Sequence, residues 1–208
     1  MKTTNLIKTA AWLSLIGAIG LLIWWFLMPV FLPVSNAGTD FQDMILDPDW
    51  IPLNLAGLVS TLFITLGFPA FSFYKRPHPD RPGSAGLLVA FTGLILFTGI
   101  QYYETLLWPA AASADPGLVG VTGALVSGDP GVAAGLLVSG ILLGTGYILF
   151  GISALRAGTL PKTPLWFLIA GAPVFANGII FPARTVGLLL FCAGTIWLAL
   201  KLRKHSNA

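Results

Sequence analysis

Gln101, Glu104 and Trp108 stand at i, i+3 and i+7, so on a helix they share one face, with Phe97 one turn earlier. Tyr102 and Tyr103 flank that stripe. Glu104 is the only acid inside any of the long apolar segments, and Arg184 stands at the head of another. Counting ~17 residues from Leu87 at 1.5 Å each places Glu104 ~25 Å into a hydrocarbon layer of roughly 30 Å, close to its far boundary. Arg184 begins its segment at the same level. A carboxylate and a guanidinium at equal depth attract, because pairing reduces the desolvation cost of each. Asn177 lies about two turns before Arg184, and Asn54 enters a further segment from the same side. Gln101, Tyr103, Glu104, Trp108, Asn177 and Arg184 are therefore expected to form a polar and aromatic pocket for a small or amphipathic ligand. The competing reading has both charges snorkelling to headgroups and the aromatic residues forming an interfacial belt.

Other chemistry is sparse. His78 and His205 fall in connecting or terminal segments, so paired histidines cannot build a haem or zinc site within the apolar segments. GxSxG, HExxH, Walker and GxGxxG patterns do not occur. The single cysteine, Cys192, excludes an intrachain disulfide. Asp40, Asp43, Asp47 and Asp49 share one connection but lack the spacing and glycine of an EF-hand. That connection reads as a solvated loop with a short interfacial helix bearing Phe41, Met44 and Ile45. No metal or cofactor is expected. An intramembrane enzyme using Glu104 as acid or base ranks third, since no second catalytic group accompanies it.

The elements that must position these residues follow from composition. The chain has 208 residues, 56% of them hydrophobic and 9% charged. An average soluble domain carries roughly 25% charged residues. A soluble enzyme, a nucleic-acid binder and a disordered chain are all excluded on that ground. Six apolar segments have the length of a transmembrane helix: residues 9–32, 52–74, 84–108, 131–155, 164–181 and 183–200. The last two are separated only by a tight turn containing Pro182. Ten of eleven basic residues fall on one side of this arrangement, with Arg184 the exception. Lys2, Lys8, Lys75, Arg76, Arg81, Arg156, Lys162, Lys201, Arg203 and Lys204 thus place both termini in the cytoplasm. The basic start and Ser35-Asn36-Ala37 resemble a signal peptide, but the first apolar run exceeds the 7–15 residues of a signal core. Trp24 and Trp25 read as interfacial anchors of an uncleaved span. The expectation is an all-α, six-span bundle forming one domain over residues 1–208.

Glycine, with 24 residues, concentrates in these segments. Gly140 and Gly144 form a GxxxG, with Gly135, Gly146 and Gly151 nearby, which lets helix backbones approach closely. Packing within one bundle is the simpler reading, and a homodimer seam the alternative. Pro69 and Pro173 are expected to kink their helices. The stretch from Ala56 to Phe68 resembles that from Ala134 to Tyr147, about 79 residues further on, a likeness expected from the composition of two Gly/Leu-rich helices, with a parallel repeat as the alternative. An accessory subunit, packed on a membrane-protein partner through these helices, is the second functional reading.

Two stretches carry a family resemblance. One is Leu66-Gly67-Phe68-Pro69-Ala70, followed by a basic loop and Gly86-Leu87-Leu88. The other is Tyr103-Glu104 through Trp108-Pro109, then Gly146-Tyr147 to Ala154-Leu155-Arg156-Ala157-Gly158-Thr159-Leu160-Pro161. Together they resemble a broad group of uncharacterised bacterial multi-pass integral membrane proteins. The resemblance implies a bacterial inner-membrane location and transfers no site.

Overall fold

The computed structural model describes residues 3–32, 41–73, 81–120, 122–158, 160–177 and 181–205. Regular structure among them is entirely helical. In chain order the helices are α1 (Thr3–Phe31), α2 (Phe41–Leu46), α3 (Trp50–Gly67), α4 (Arg81–Tyr102), α5 (Trp108–Ala114), α6 (Pro130–Ala157), α7 (Lys162–Asn177) and α8 (Phe181–His205). A 3-10 segment, Phe68–Phe73, ends α3, because Pro69 has no N–H to offer the Thr65 carbonyl. A single π-helical turn, Tyr103–Leu107, joins α4 to α5. Lys2, Asp40, Lys75, Arg76 and His78 lie outside the described residues.

Five stretches are long and apolar enough to cross a membrane: Asn5–Phe31, Trp50–Ser72, Arg81–Ala114, Pro130–Ala157 and Pro182–Lys204. The fifth apolar segment of the sequence is shorter than expected. Its described helix, α7, spans 16 residues, Lys162–Asn177, and Phe181 already belongs to α8. Pro182 does not sit in a turn between helices. It enters the first turn of α8, where a missing N–H costs nothing.

Small residues set which helices meet. Gly67 touches Ala10 and Ser14, and Gly57 lies under the Trp24 ring, so α3 runs antiparallel to α1. Gly86 against Leu149 and Phe150, and Gly93 against Leu143, make α4 antiparallel to α6. Helix α7 runs between α6 and α8: Gly151 faces Ile169, Gly144 faces Pro173, Gly194 faces Pro164 and Gly187 faces Phe175. Helices α1 and α8 close the bundle. Trp25 Nε1 donates to Thr185 Oγ1 at 2.9 Å near one end, and Arg203 lies 3.6 Å over the Trp12 ring near the other. The start of α1 and the finish of α8 therefore share one end of the molecule.

The centre is aromatic. Phe68 packs on Tyr147 and Phe150 with centroids 4.6 and 5.3 Å apart, and Tyr147 meets Phe191 edge-on at 5.2 Å. The outside is also apolar. Trp12, Ile16, Ile19, Ile23 and Phe26 form a stripe along α1, each 43–54% exposed. Leaving such area in water costs about 25 cal/mol per Å², so this face is suited to apolar surroundings. The Gly140/Gly144 face is used inside the chain: a Cβ on Gly144 would stand 2.9 Å from Pro173 Cα. Packing within one bundle is therefore what this face does in the chain.

Candidate functional site

The cavity in question lies at the bundle end where α1 and α4 finish and α3 and α8 begin. Its volume is about 240 Å³. Four tryptophans, Trp24, Trp25, Trp50 and Trp108, line it together with Phe97, Met28, Met44 and Ile100. Asn54, Gln101, Glu104 and Arg184 supply its polar groups. Short helix α2 caps this end: Met44 and Ile45 are buried in a small cluster with Leu32, Trp50, Trp108, Ala112 and Val119. The expected interfacial helix thus exists, but it packs Met44 and Ile45 onto the protein, not into headgroups.

Gln101 is held in the last turn of α4 by α3. Its Oε1 accepts from Thr61 Oγ1 at 2.8 Å, and one turn further in Thr65 and Thr98 hydroxyls lie 3.2 Å apart. Asn54 Nδ2 donates to the Trp50 carbonyl at 2.9 Å. These links use hydroxyl and amide groups that would be costly if buried alone.

Glu104 sits in the π turn, and Pro109 explains why that turn exists. Lacking an N–H, Pro109 cannot serve the Thr105 carbonyl in an α-helical register. The backbone widens, and Trp108 N–H bonds Tyr103 O instead of Glu104 O. The Glu104 carbonyl then has lost Trp108 and faces Pro109 as its next residue. Trp50 Nε1 fills the gap from α3, donating to Glu104 O at 3.2 Å. The Trp50 ring also stacks on Trp108, with centroids 6.3 Å apart and planes at 25°. One aromatic side chain therefore satisfies the irregular backbone and forms a wall of the cavity.

Arg184 enters from the first turns of α8. Its Cζ lies 5.6 Å from the Trp25 centroid and 5.8 Å from that of Phe175, within cation–π range. Glu104 and Arg184 are within electrostatic reach of each other. Among the described residues, however, no carboxylate oxygen comes within 4.0 Å of that guanidinium. Two buried donors on cavity residues, Arg184 Nε and Trp24 Nε1, have no hydrogen-bond partner among the described residues. The cavity is thus lined by a carboxylate, a guanidinium and indole side chains.

Of the six residues expected to form the pocket, Gln101, Glu104, Trp108 and Arg184 line this one cavity. Tyr103 and Asn177 do not. Tyr103 hydroxyl and Trp108 Nε1 both donate to the Leu125 carbonyl, at 3.1 and 3.2 Å, and so hold the connection before α6. Tyr103 follows Leu96 and Gly99 at ordinary helical spacing and shares their face, where it borders an apolar groove. Asn177 Nδ2 donates to Gly140 O at 3.1 Å and Pro173 O at 3.0 Å, fastening the end of α7 to α6. Trp24 and Trp25 are a correction in the opposite sense. They are 6% and 5% exposed and face the cavity, not the interface, because Gly57 leaves room for the Trp24 ring. Their adjacency to Met28 at helical spacing was the available signal. Among the described residues no three His, Cys, Asp or Glu side chains gather as a metal site would require. Comparison of the chain with protein-family models, curated proteins and solved structures returned no match.

Proposed function

We propose that this chain is a six-span protein of the bacterial cytoplasmic membrane, with both termini in the cytoplasm, that binds a small or amphipathic molecule at the outer end of its bundle. Binding is the step shared by recognition and by carriage across the membrane. The observation that carries the reading is the cavity itself, which collects Glu104, Arg184 and four tryptophans from four helices. Isolated charges in hydrocarbon are expensive, and their concentration on one concave surface points to a ligand rather than to anchoring. Six spans are supported by α7, which runs antiparallel to α6 and α8 over ~24 Å despite its shortness. The cytoplasmic assignment rests on the split of basic residues between alternate loops.

The test is ligand retention. Native mass spectrometry of the purified protein, followed by a thermal-shift panel of small polar and amphipathic solutes, should find a molecule that stabilises it saturably. Met28→Trp fills part of the cavity and should abolish that response while leaving the unliganded midpoint unchanged. A protein that neither retains nor responds to any such molecule refutes the reading. The accessory-subunit reading draws on a different observation, the apolar groove between α4 and α6 where Gly99 and Gly135 have open space above them. A helix of a larger complex lying there would make the chain co-purify at fixed stoichiometry with that partner.

A further inference from the structure

We infer that the cavity takes a zwitterion, a molecule bearing an ammonium cation and a carboxylate or phosphate anion. The inference rests on the cavity being a ligand site and names what it selects. Charge balance is the first reason. Glu104 and Arg184 line the same space without a direct ion pair. A simple cation would satisfy Glu104 and leave Arg184 facing added positive charge, and a simple anion would do the reverse. Either mismatch leaves an unmatched ion in a low-dielectric site, which opposes binding. A zwitterion matches both and enters with no net charge.

The guanidinium is the second reason. It can only donate, and a carboxylate or phosphate beside Arg184 provides the acceptor oxygens it calls for. The walls are the third reason. Trp24, Trp50 and Trp108 present indole surfaces while Arg184 occupies the neighbourhood of Trp25. Indole faces attract ammonium groups, most selectively a quaternary one that cannot hydrogen-bond. Size agrees, since about 240 Å³ is below the roughly 300–1,000 Å³ of drug-sized sites and suits a headgroup-sized solute. The same chemistry is carried by a free solute and by a phospholipid headgroup.

Calorimetric titration of the full chain in maltoside micelles separates the possibilities. Phosphocholine and glycine betaine should bind saturably, and choline or acetate alone at least about tenfold more weakly. Glu104→Gln and Arg184→Gln should each reduce phosphocholine affinity about tenfold. Trp24→Leu, which removes an indole from the lining, should reduce it about threefold and tests the idea even if the charge variants fail to fold. Repetition in nanodiscs distinguishes the source. Phosphocholine binding that disappears in phosphatidylcholine discs but persists in phosphatidylglycerol discs identifies a lipid headgroup as the occupant. Equal binding in both identifies a free solute. Choline binding as tightly as phosphocholine, or an uncharged amphipathic solute binding where the zwitterions do not, overturns the inference and leaves the cavity reading intact. Absence of binding by every solute overturns both.

Discussion

Replacing Trp50 by Phe probes the link between the π turn and the site. The substitution keeps an aromatic ring beside Trp108 but removes the N–H that reaches the Glu104 carbonyl at 3.2 Å. That carbonyl has no alternative within its own helix, because Trp108 N–H is engaged by Tyr103 O and Pro109 has none. Leaving a buried acceptor unmet costs about 1–3 kcal/mol. Part of an aromatic contact of about 0.5–1.5 kcal/mol is lost as well. At roughly 2–4 °C per kcal/mol for a chain of this size, the midpoint of unfolding in detergent should fall by roughly 2–18 °C. The decisive measurement is a double-mutant cycle with Pro109→Ala. Alanine at that position restores an N–H for the Thr105 carbonyl and lets Trp108 N–H return to Glu104 O. In that background Trp50→Phe should cost about 1 kcal/mol less, a coupling well above the ~0.3–0.5 kcal/mol of independent sites. Strictly additive costs, or a neutral Trp50→Phe, would refute the claim that proline, π turn and indole form one unit.

Two further predictions address packing and topology. Gly144→Leu should destabilise by about 1–3 kcal/mol, since its Cβ would collide with Pro173, whereas Gly135→Leu should leave the melting temperature unchanged because nothing lies within 4 Å. Equal effects would place both glycines in the same environment and contradict the packing. In a Cys192→Ser background, a cysteine at exposed Asp43 or Asp115 should react with an impermeant thiol reagent on intact cells, and one at His78 should not. Labelling at His78 alone would reverse the orientation.

The stripe Phe97, Gln101, Glu104 and Trp108 was legible because residues three and four apart must share a helical face, and all four line the cavity. Tyr103 follows Leu96 and Gly99 at that same spacing and borders a separate apolar groove with them, so the helical period itself sets it apart from the stripe. Asn177 was placed by depth alone, and depth does not reveal that Gly140 leaves an open carbonyl at hydrogen-bonding distance. Trp24 and Trp25 were misplaced for a related reason. An indole near the end of a span suits the interface and the interior equally, and the choice depends on what the neighbouring helix offers.

The sequence by itself determined the solvent and the secondary structure. With 9% charged residues and long apolar runs, the backbone must satisfy its own hydrogen bonds, and only helices do that segment by segment. It also marked Pro69 as a place where a helix yields, but α7 runs on through Pro173 and α1 through Pro29, so a missing donor alone does not decide where a helix breaks. Only the tertiary structure decided which side chains meet. Trp50 reaches Glu104 across 54 positions, and Trp25 reaches Thr185 across 160. Inside lipid, every face of every helix is apolar enough to be buried or exposed, so hydrophobic pattern does not choose partners. Close packing chooses them, through glycines whose missing Cβ atoms admit one neighbour and exclude another, and that fit exists only once both helices are in place.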